Sequence, residues 1–316
     1  MNRPNNSTSE KGTRVARAST LARGVAVRTR ARVLARATVR LAILLLVVAL
    51  LAIICASCSA DRIILGENHD SVDAHGARRE IIRSAGKSIE CWIAPSKAAQ
   101  SAEPKAFVIY FVGRGDRADR WTTAVAGAWD EFPVQVWGVN YPASGGTDGP
   151  PNLTRVGDNA VAVFDELRHR FGDRPVFVEG GSFGTTAALC VAAHRPVAGI
   201  VLQNPPPLRE LIMGRHGWWN LWLIAGPVAH QIPQNLDSID NARHSHAPAV
   251  FILSDADEMI PPSYHDKVVS AYAGPKHVIH MPGARHNDPL THEAAEQLAR
   301  ERKWLWDQQF LTSADN

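Results

Sequence analysis

With 316 residues, 45% of them hydrophobic and 21% charged, the chain can bury a large core, which excludes a disordered polar protein. Its net charge of +3 averages two unlike parts, because residues 1–40 carry ten Lys/Arg against the single acid Glu10. Taking these from totals of 34 basic and 31 acidic residues leaves 24 and 30, a net of −6 for residues 41–316, which argues against nucleic acid as a partner.

In chain order, the basic leader at 1–40 gives way to "LAILLLVVALLAIICASCSA", residues 41–60, a run of twenty without a charge. As a helix it is roughly 30 Å long, the thickness of a bilayer core. Arginines flank one end and Asp61 begins the other, so the positive-inside rule places the N-terminus in the cytoplasm and the rest outside. We read the segment as an uncleaved anchor. Two other readings stay open. "CASC" nearly forms a lipoprotein signal with Cys58 as the acylated residue, although Cys55 stands where an aliphatic residue is usual. The Arg-rich, acid-poor leader also has the make-up of an organelle transit peptide. Cys55 and Cys58 belong to this segment, and Cys91 and Cys190 fall on an expected strand and helix, with no disulfide framework or metal spacing.

Residues 61–79 read as a polar linker to a domain at 80–316. "REIIRS" and "SIECWIAP" around "AGK" predict a hairpin. Apolar runs then alternate with helical stretches: strand "AFVIYFVG", helix "DRWTTAVAGAW", strand "VQVWGVNYP", loop "ASGGTDGPPN" and helix "TRVGDNAVAVFDELRHRF". Next come strand "PVFVEG", helix "TTAALCVAAH", strand "VAGIVLQN", strand "PAVFILSD", helix "SYHDKVVSAYA", strand "HVIHMPG" and helix "THEAAEQLARERKWLWDQQFL". Continuous apolar runs suit strands buried on both faces, so the expected fold is α/β: a mostly parallel sheet with helices on both faces and an antiparallel hairpin edge. Residues 206–246 interrupt the alternation with an apolar helical insertion carrying Trp218, Trp219 and Trp222, an expected lid.

"GGSFG", Gly180 to Gly184, matches G-x-S-x-G between a buried strand and a small-residue helix, the setting of a nucleophile elbow. There Ser182 sits on a strained turn, glycines permit close strand–helix packing, and the helix N-terminus offers N–H groups to an oxyanion. A serine needs a base and an acid, and in this setting they follow it downstream as acid, then histidine. "ILSDADEMIPP" supplies Asp257, with Asp255 as the competitor, and "HMPGARHNDPL" supplies His286. The loop "GRGD" offers the Arg114 backbone N–H as a second oxyanion donor beside that of Phe183. The other histidines show no metal-ligand arrangement, and no cofactor is expected.

Taken in order, "YFVGRG", "VNYPASGGTDG", "VEGGSFGTTAAL", "APAVFILSDADEMIPP" and "MPGARHND" resemble the α/β-hydrolase fold, and more narrowly its membrane-anchored serine hydrolases, which include lysophospholipases and protein depalmitoylases. The resemblance runs from about residue 80 to the C-terminus. It implies a Ser182–Asp257–His286 triad, with Arg114 lending an oxyanion N–H. Two positions depart from the pattern: Val112-Gly113 replaces His-Gly, and Ser254 stands where glycine is usual.

The expected activity is therefore a serine hydrolase of carboxylic esters or thioesters, its substrate a small acyl ester or lipid. The insertion's tryptophans suit either a fatty chain or the insertion's own core. The alternatives are a peptidase or acyltransferase on the same triad, with Glu179 as the candidate to bind a substrate amine, and a non-catalytic binding protein that keeps the fold.

Overall fold

The computed structural model describes residues 7–218 and 222–310, in two compact units, Met1–Cys55 and Ala56–Asn316. In the first runs the helix α1 (Ser7–Cys58). Its stretch Leu34–Cys55 has a mean hydropathy of 2.9 and no protein burying it, long and apolar enough to cross a membrane. A signal sequence has the same length and composition. The stretch starts ahead of the charge-free run at 41 and takes in Arg36 and Arg40.

The second unit begins with the short helix α2 (Ala60–Leu65) and the hairpin β1 (Arg78–Ser84) and β2 (Lys87–Pro95). The hairpin turns through Ala85 and Gly86, both at positive φ, as a tight two-residue turn requires. After α3 (Lys97–Gln100) come β3 (Ala106–Phe111), α4 (Ala118–Gly127), β4 (Val134–Val139), α5 (Leu153–Phe171), β5 (Val176–Gly181), α6 (Gly184–His194) and β6 (Gly199–Gln203). The insertion holds α7 (Leu208–His216), α8 (Ala225–His230), a 3-10 turn (Gln234–Leu236) and α9 (Ser238–His244). β7 (Ala249–Ser254), α10 (Pro262–Ala271), β8 (Lys276–Met281) and α11 (His292–Phe310) complete the chain.

The eight strands form one sheet in the order β1-β2-β4-β3-β5-β6-β7-β8. β2 runs antiparallel to both its neighbours and the remaining pairs are parallel. Strand side chains alternate between faces, so β3 feeds two cores. Phe107, Ile109 and Phe111 pack with Val163, Phe164, Ala188 and Leu189 of α5 and α6. Ala106 and Val108 pack on the other face with Trp129, Phe177, Leu298 and Leu305.

The expected linker is structured over its first part. Its polar average hides Ile63-Ile64-Leu65: Ile64 and Leu65 are buried in the first core beside Ala60, and Asn68 makes a bridge with Ser144. The loops that follow β3, β5, β7 and β8 leave from the carboxyl ends of parallel strands, where ligands of open α/β sheets are held.

Candidate active site

Ser182 stands between the end of β5 and the start of α6 with φ of 50°, in the left-handed region that side chains avoid. The strain is held by packing. A Cβ at Gly184 would lie 2.1 Å from the Phe111 carbonyl oxygen, and one at Gly180 would lie 2.6 Å from the Gly184 backbone. No larger residue fits where the elbow folds over β3. The Ser182 N–H donates to the Gln203 carbonyl at 2.8 Å, which fixes the turn against β6.

Ser182 Oγ is 2.9 Å from His286 Nε2, and His286 Nδ1 is 2.6 Å from Asp257 Oδ2. The loops after three strands thus bring together the three side chains singled out in the sequence. Asp257 and His286 are buried, while Ser182 is half-buried at the cavity floor. Asp255 is directed elsewhere, to His280 at 2.9 Å near the surface. Burial alone would raise the Asp257 pKa. Contacts from His265 and His286 and the Ile260 N–H outweigh it, and the carboxyl lies well below the usual carboxylate range.

His265 on α10 is a residue the sequence reading missed. It is fully buried, with Nε2 3.4 Å from Asp257 Oδ2, although neither ring nitrogen makes a well-aligned hydrogen bond. Its partner lies eight positions upstream, and nothing in "SYHDKVV" marks it. Asn204, at φ of 51°, was missed too. Its amide accepts from the Ser254 N–H and donates to Ser254 Oγ, at 2.9 and 3.0 Å, and it approaches the His286 carbonyl at 3.4 Å. Ser254 is therefore buried and held by Asn204 through both its N–H and its Oγ.

The loop after β3 lies against the elbow. Arg114 lines the same cavity as Ser182 and His286, and among the described residues no protein acceptor takes the Arg114 or Phe183 backbone N–H. Tyr141, from the "VNYPASGG" stretch, donates its hydroxyl to the Val112 carbonyl at 2.6 Å and meets Phe183 edge-on at 5.4 Å. Burial pushes the Tyr141 pKa far up, with help from nearby Tyr110, so it remains a donor. Val112, in place of histidine, is a core residue.

The cavity measures about 470 Å³. Ser182, His286 and Arg114 are at its polar end, and its walls are aliphatic. The insertion gives Pro206, Leu208, Leu211, Ile212, Ile224 and Val228, the acid loop gives Met259 and Ile260, and α2 gives Ile63 and Ile64. The two described tryptophans of the insertion do not line the cavity. Trp218 and Trp222 are 69% and 48% exposed, and Trp219 lies outside the described residues. Glu179 is also corrected: its carboxylate takes Arg302 at 2.8 Å and Trp129 Nε1 at 3.0 Å, away from this cavity. Among the described residues no cluster of His, Cys, Asp and Glu is arranged to hold a metal ion.

The α/β-hydrolase fold family matches residues 113–236, from the loop after β3 through the 3-10 turn, a stretch that contains Ser182 and ends before Asp257 and His286. Solved structures align over most of the chain. The chain has the α/β-hydrolase fold. Est1E from Butyrivibrio proteoclasticus superposes with a TM-score of 0.57 at 15% identity, over 73% of this chain and 98% of that one. The Pyrococcus furiosus esterase Pf2001 gives 0.56 at 12%, over 78% and 96%. The Paleococcus ferrophilus monoacylglycerol lipase gives 0.52 at 18%, over 69% and 99%. In sequence, uncharacterized proteins from two strains of Mycobacterium tuberculosis are 28% identical over 194 residues, which is 60% of this chain and 66%, just under two thirds, of theirs.

Proposed function

We propose that this α/β-hydrolase-fold chain is a serine hydrolase that cleaves carboxylic esters or thioesters of apolar acyl groups. The observation that carries the reading is the Ser182–His286–Asp257 relay opening at the floor of an aliphatic cavity of about 470 Å³. His286 Nε2 takes the Ser182 proton as Oγ attacks the acyl carbonyl, and the tetrahedral oxyanion is received by the backbone N–H groups of Arg114 and Phe183. Collapse expels the alcohol or thiol, which takes the proton from His286 and leaves an acyl-enzyme. Water, deprotonated by the same imidazole, then attacks the acyl carbonyl and releases the acid and Ser182. Asp257 holds the Nδ1–H tautomer and stabilises the imidazolium. None of these steps draws on a cofactor.

The apolar walls favour an alkyl chain over a peptide. The names of two structural neighbours, an esterase and a monoacylglycerol lipase, agree with this, and the engagement of Glu179 by Arg302 removes the candidate for binding a substrate amine. A binding module would have no use for all three relay residues. The apolar stretch at 34–55 serves as the anchor, and by the positive-inside rule the hydrolase domain lies on the far side of the membrane. The deciding experiment is labelling by a fluorophosphonate, with Ser182→Ala as control, followed by p-nitrophenyl esters of increasing chain length. Labelling that the substitution abolishes is expected, with an optimum at medium to long chains. A folded protein that neither labels nor hydrolyses any ester would refute the activity.

A further inference from the structure

The segment joining the apolar helix to the first strand is bonded into the loop that presents the Arg114 N–H. α2 starts five residues after Cys55, the end of the membrane-length stretch. The last carbonyls of a helix have no partner within it. Here the Arg114 guanidinium takes two of them, donating from Nε to the Ile64 carbonyl and from Nη2 to the Ile63 carbonyl, both at 2.6 Å. Consecutive carbonyls held by a planar fork suit arginine alone; a lysine ammonium is a single point and cannot reproduce the fork. One residue further on, the Gly115 carbonyl accepts from Asn68 Nδ2 at 2.8 Å. Asn68 is itself tied by its backbone to Ala143 and Gly145, at 3.1 and 2.9 Å. Arg117 donates to the Asp70 carbonyl, and Asp61 accepts the Leu153 N–H at 3.1 Å, at the start of α5. The loop from Gly113 to Arg117 is thus tied to residues 63–70 through Arg114, Gly115 and Arg117, while Asp116 is held by Trp121 and Arg120, and α2 also walls the cavity with Ile63 and Ile64.

We propose that residues 60–70 are a positioning element of the site. α2 grips the Arg114 side chain and so fixes the backbone N–H that receives the oxyanion, which makes the stretch leaving the membrane part of the catalytic apparatus and not a tether. Arg114 has two separate parts in this: its N–H acts on the substrate, and its side chain acts only through the backbone it holds. The proposal rests on the hydrolase reading above, so it is tested with one readout that does not depend on turnover.

The full chain in detergent micelles is compared with Arg114→Ala, Arg114→Lys and Asn68→Ala, with thermal unfolding reporting that each variant folds. Hydrogen exchange is followed over residues 106–121, and kcat and KM on a p-nitrophenyl ester are measured in parallel. Exchange at Asp116 and Arg117 should rise in all three variants. Misplacement of one donor by about an ångström costs up to roughly 100-fold. We therefore expect kcat to fall about 10- to 100-fold in Arg114→Ala, with KM within about threefold, and Arg114→Lys to recover little of it. Unchanged exchange in both Arg114 variants would overturn the proposal whatever the activity. If kcat fell while exchange stayed as in the wild type, the guanidinium would be touching substrate directly, and the positioning role would be wrong. Should the wild type hydrolyse nothing and fail to label at Ser182, the hydrolase reading fails by itself, and the exchange result still decides whether α2 orders the loop.

Discussion

Asp257 and Asp255 lie two positions apart in "SDADEM", yet their surroundings differ completely. Asp257 is buried against two histidines, and Asp255 pairs with His280 at the surface. Asp257→Asn should lower kcat by about 10³- to 10⁴-fold, because an amide that turns its oxygen away leaves the wrong imidazole tautomer. Asp255→Asn should stay within about twofold in the same ester assay. The depressed pKa of Asp257 also has a consequence for stability. A carboxyl whose folded pKa is lowered contributes stability that is fully present above its unfolded pKa of about 4 and is lost as pH falls towards the folded value. Melting temperatures recorded from pH 6 to pH 2 should therefore decline less steeply for Asp257→Asn than for the wild type. The elbow makes a further prediction. A Cβ at Gly184 meets the backbone of Phe111, which cannot swing aside, so Gly184→Ala should cost about 3 kcal/mol in denaturant unfolding and reduce fluorophosphonate labelling.

At the scale of elements, the insertion determines what the site can hold. α7, α8 and the loops beside them line the cavity with aliphatic side chains, while Trp218 and Trp222 of the insertion stay out of it. Leu211→Trp adds bulk inside the cavity without touching the relay, and should move the preferred p-nitrophenyl ester to a shorter acyl chain with little change in rate on the acetate. An unchanged chain-length profile would show that acyl chains are bound elsewhere. The loop "ASGGTDG" has a structural part at this scale. Glu90, buried under it, accepts from the Gly146 N–H at 2.8 Å and Asn140 at 2.7 Å and pairs with Arg79, contacts that together overcome the effect of burial and hold its pKa low. The glycines of that loop make room for this carboxylate. The loop in turn carries Tyr141 to the Val112 carbonyl.

For the molecule as a whole, the membrane-length stretch predicts that the full chain sediments with membranes after an alkaline carbonate wash, and that a protein beginning at residue 56 does not. A chain that appears in the soluble fraction at reduced mass would instead identify the stretch as a cleaved signal.

Much of the architecture is legible in the sequence because it depends on local periodicity. Apolar runs such as "AFVIYF" lie buried on both sheet faces, and the antiparallel edge follows from "SAGK" between two short strands. The relay candidates were legible for a related reason: in this fold they sit at strand ends, so the order serine, acid, histidine survives in the chain. What the sequence could not supply were contacts between distant segments. His265 reaches Asp257 only because α10 folds back over its own acid loop, and Asn204 reaches Ser254 only because β6 lies beside β7. The same limit hid α2. Its three apolar residues were lost in the polar average of residues 61–79, and their importance depends on an arginine some fifty positions away whose side chain closes the gap. Residue type and spacing determined which groups could do chemistry. Tertiary packing alone decided which of them meet, because burial and hydrogen-bond geometry depend on neighbours in space that one-dimensional order does not record.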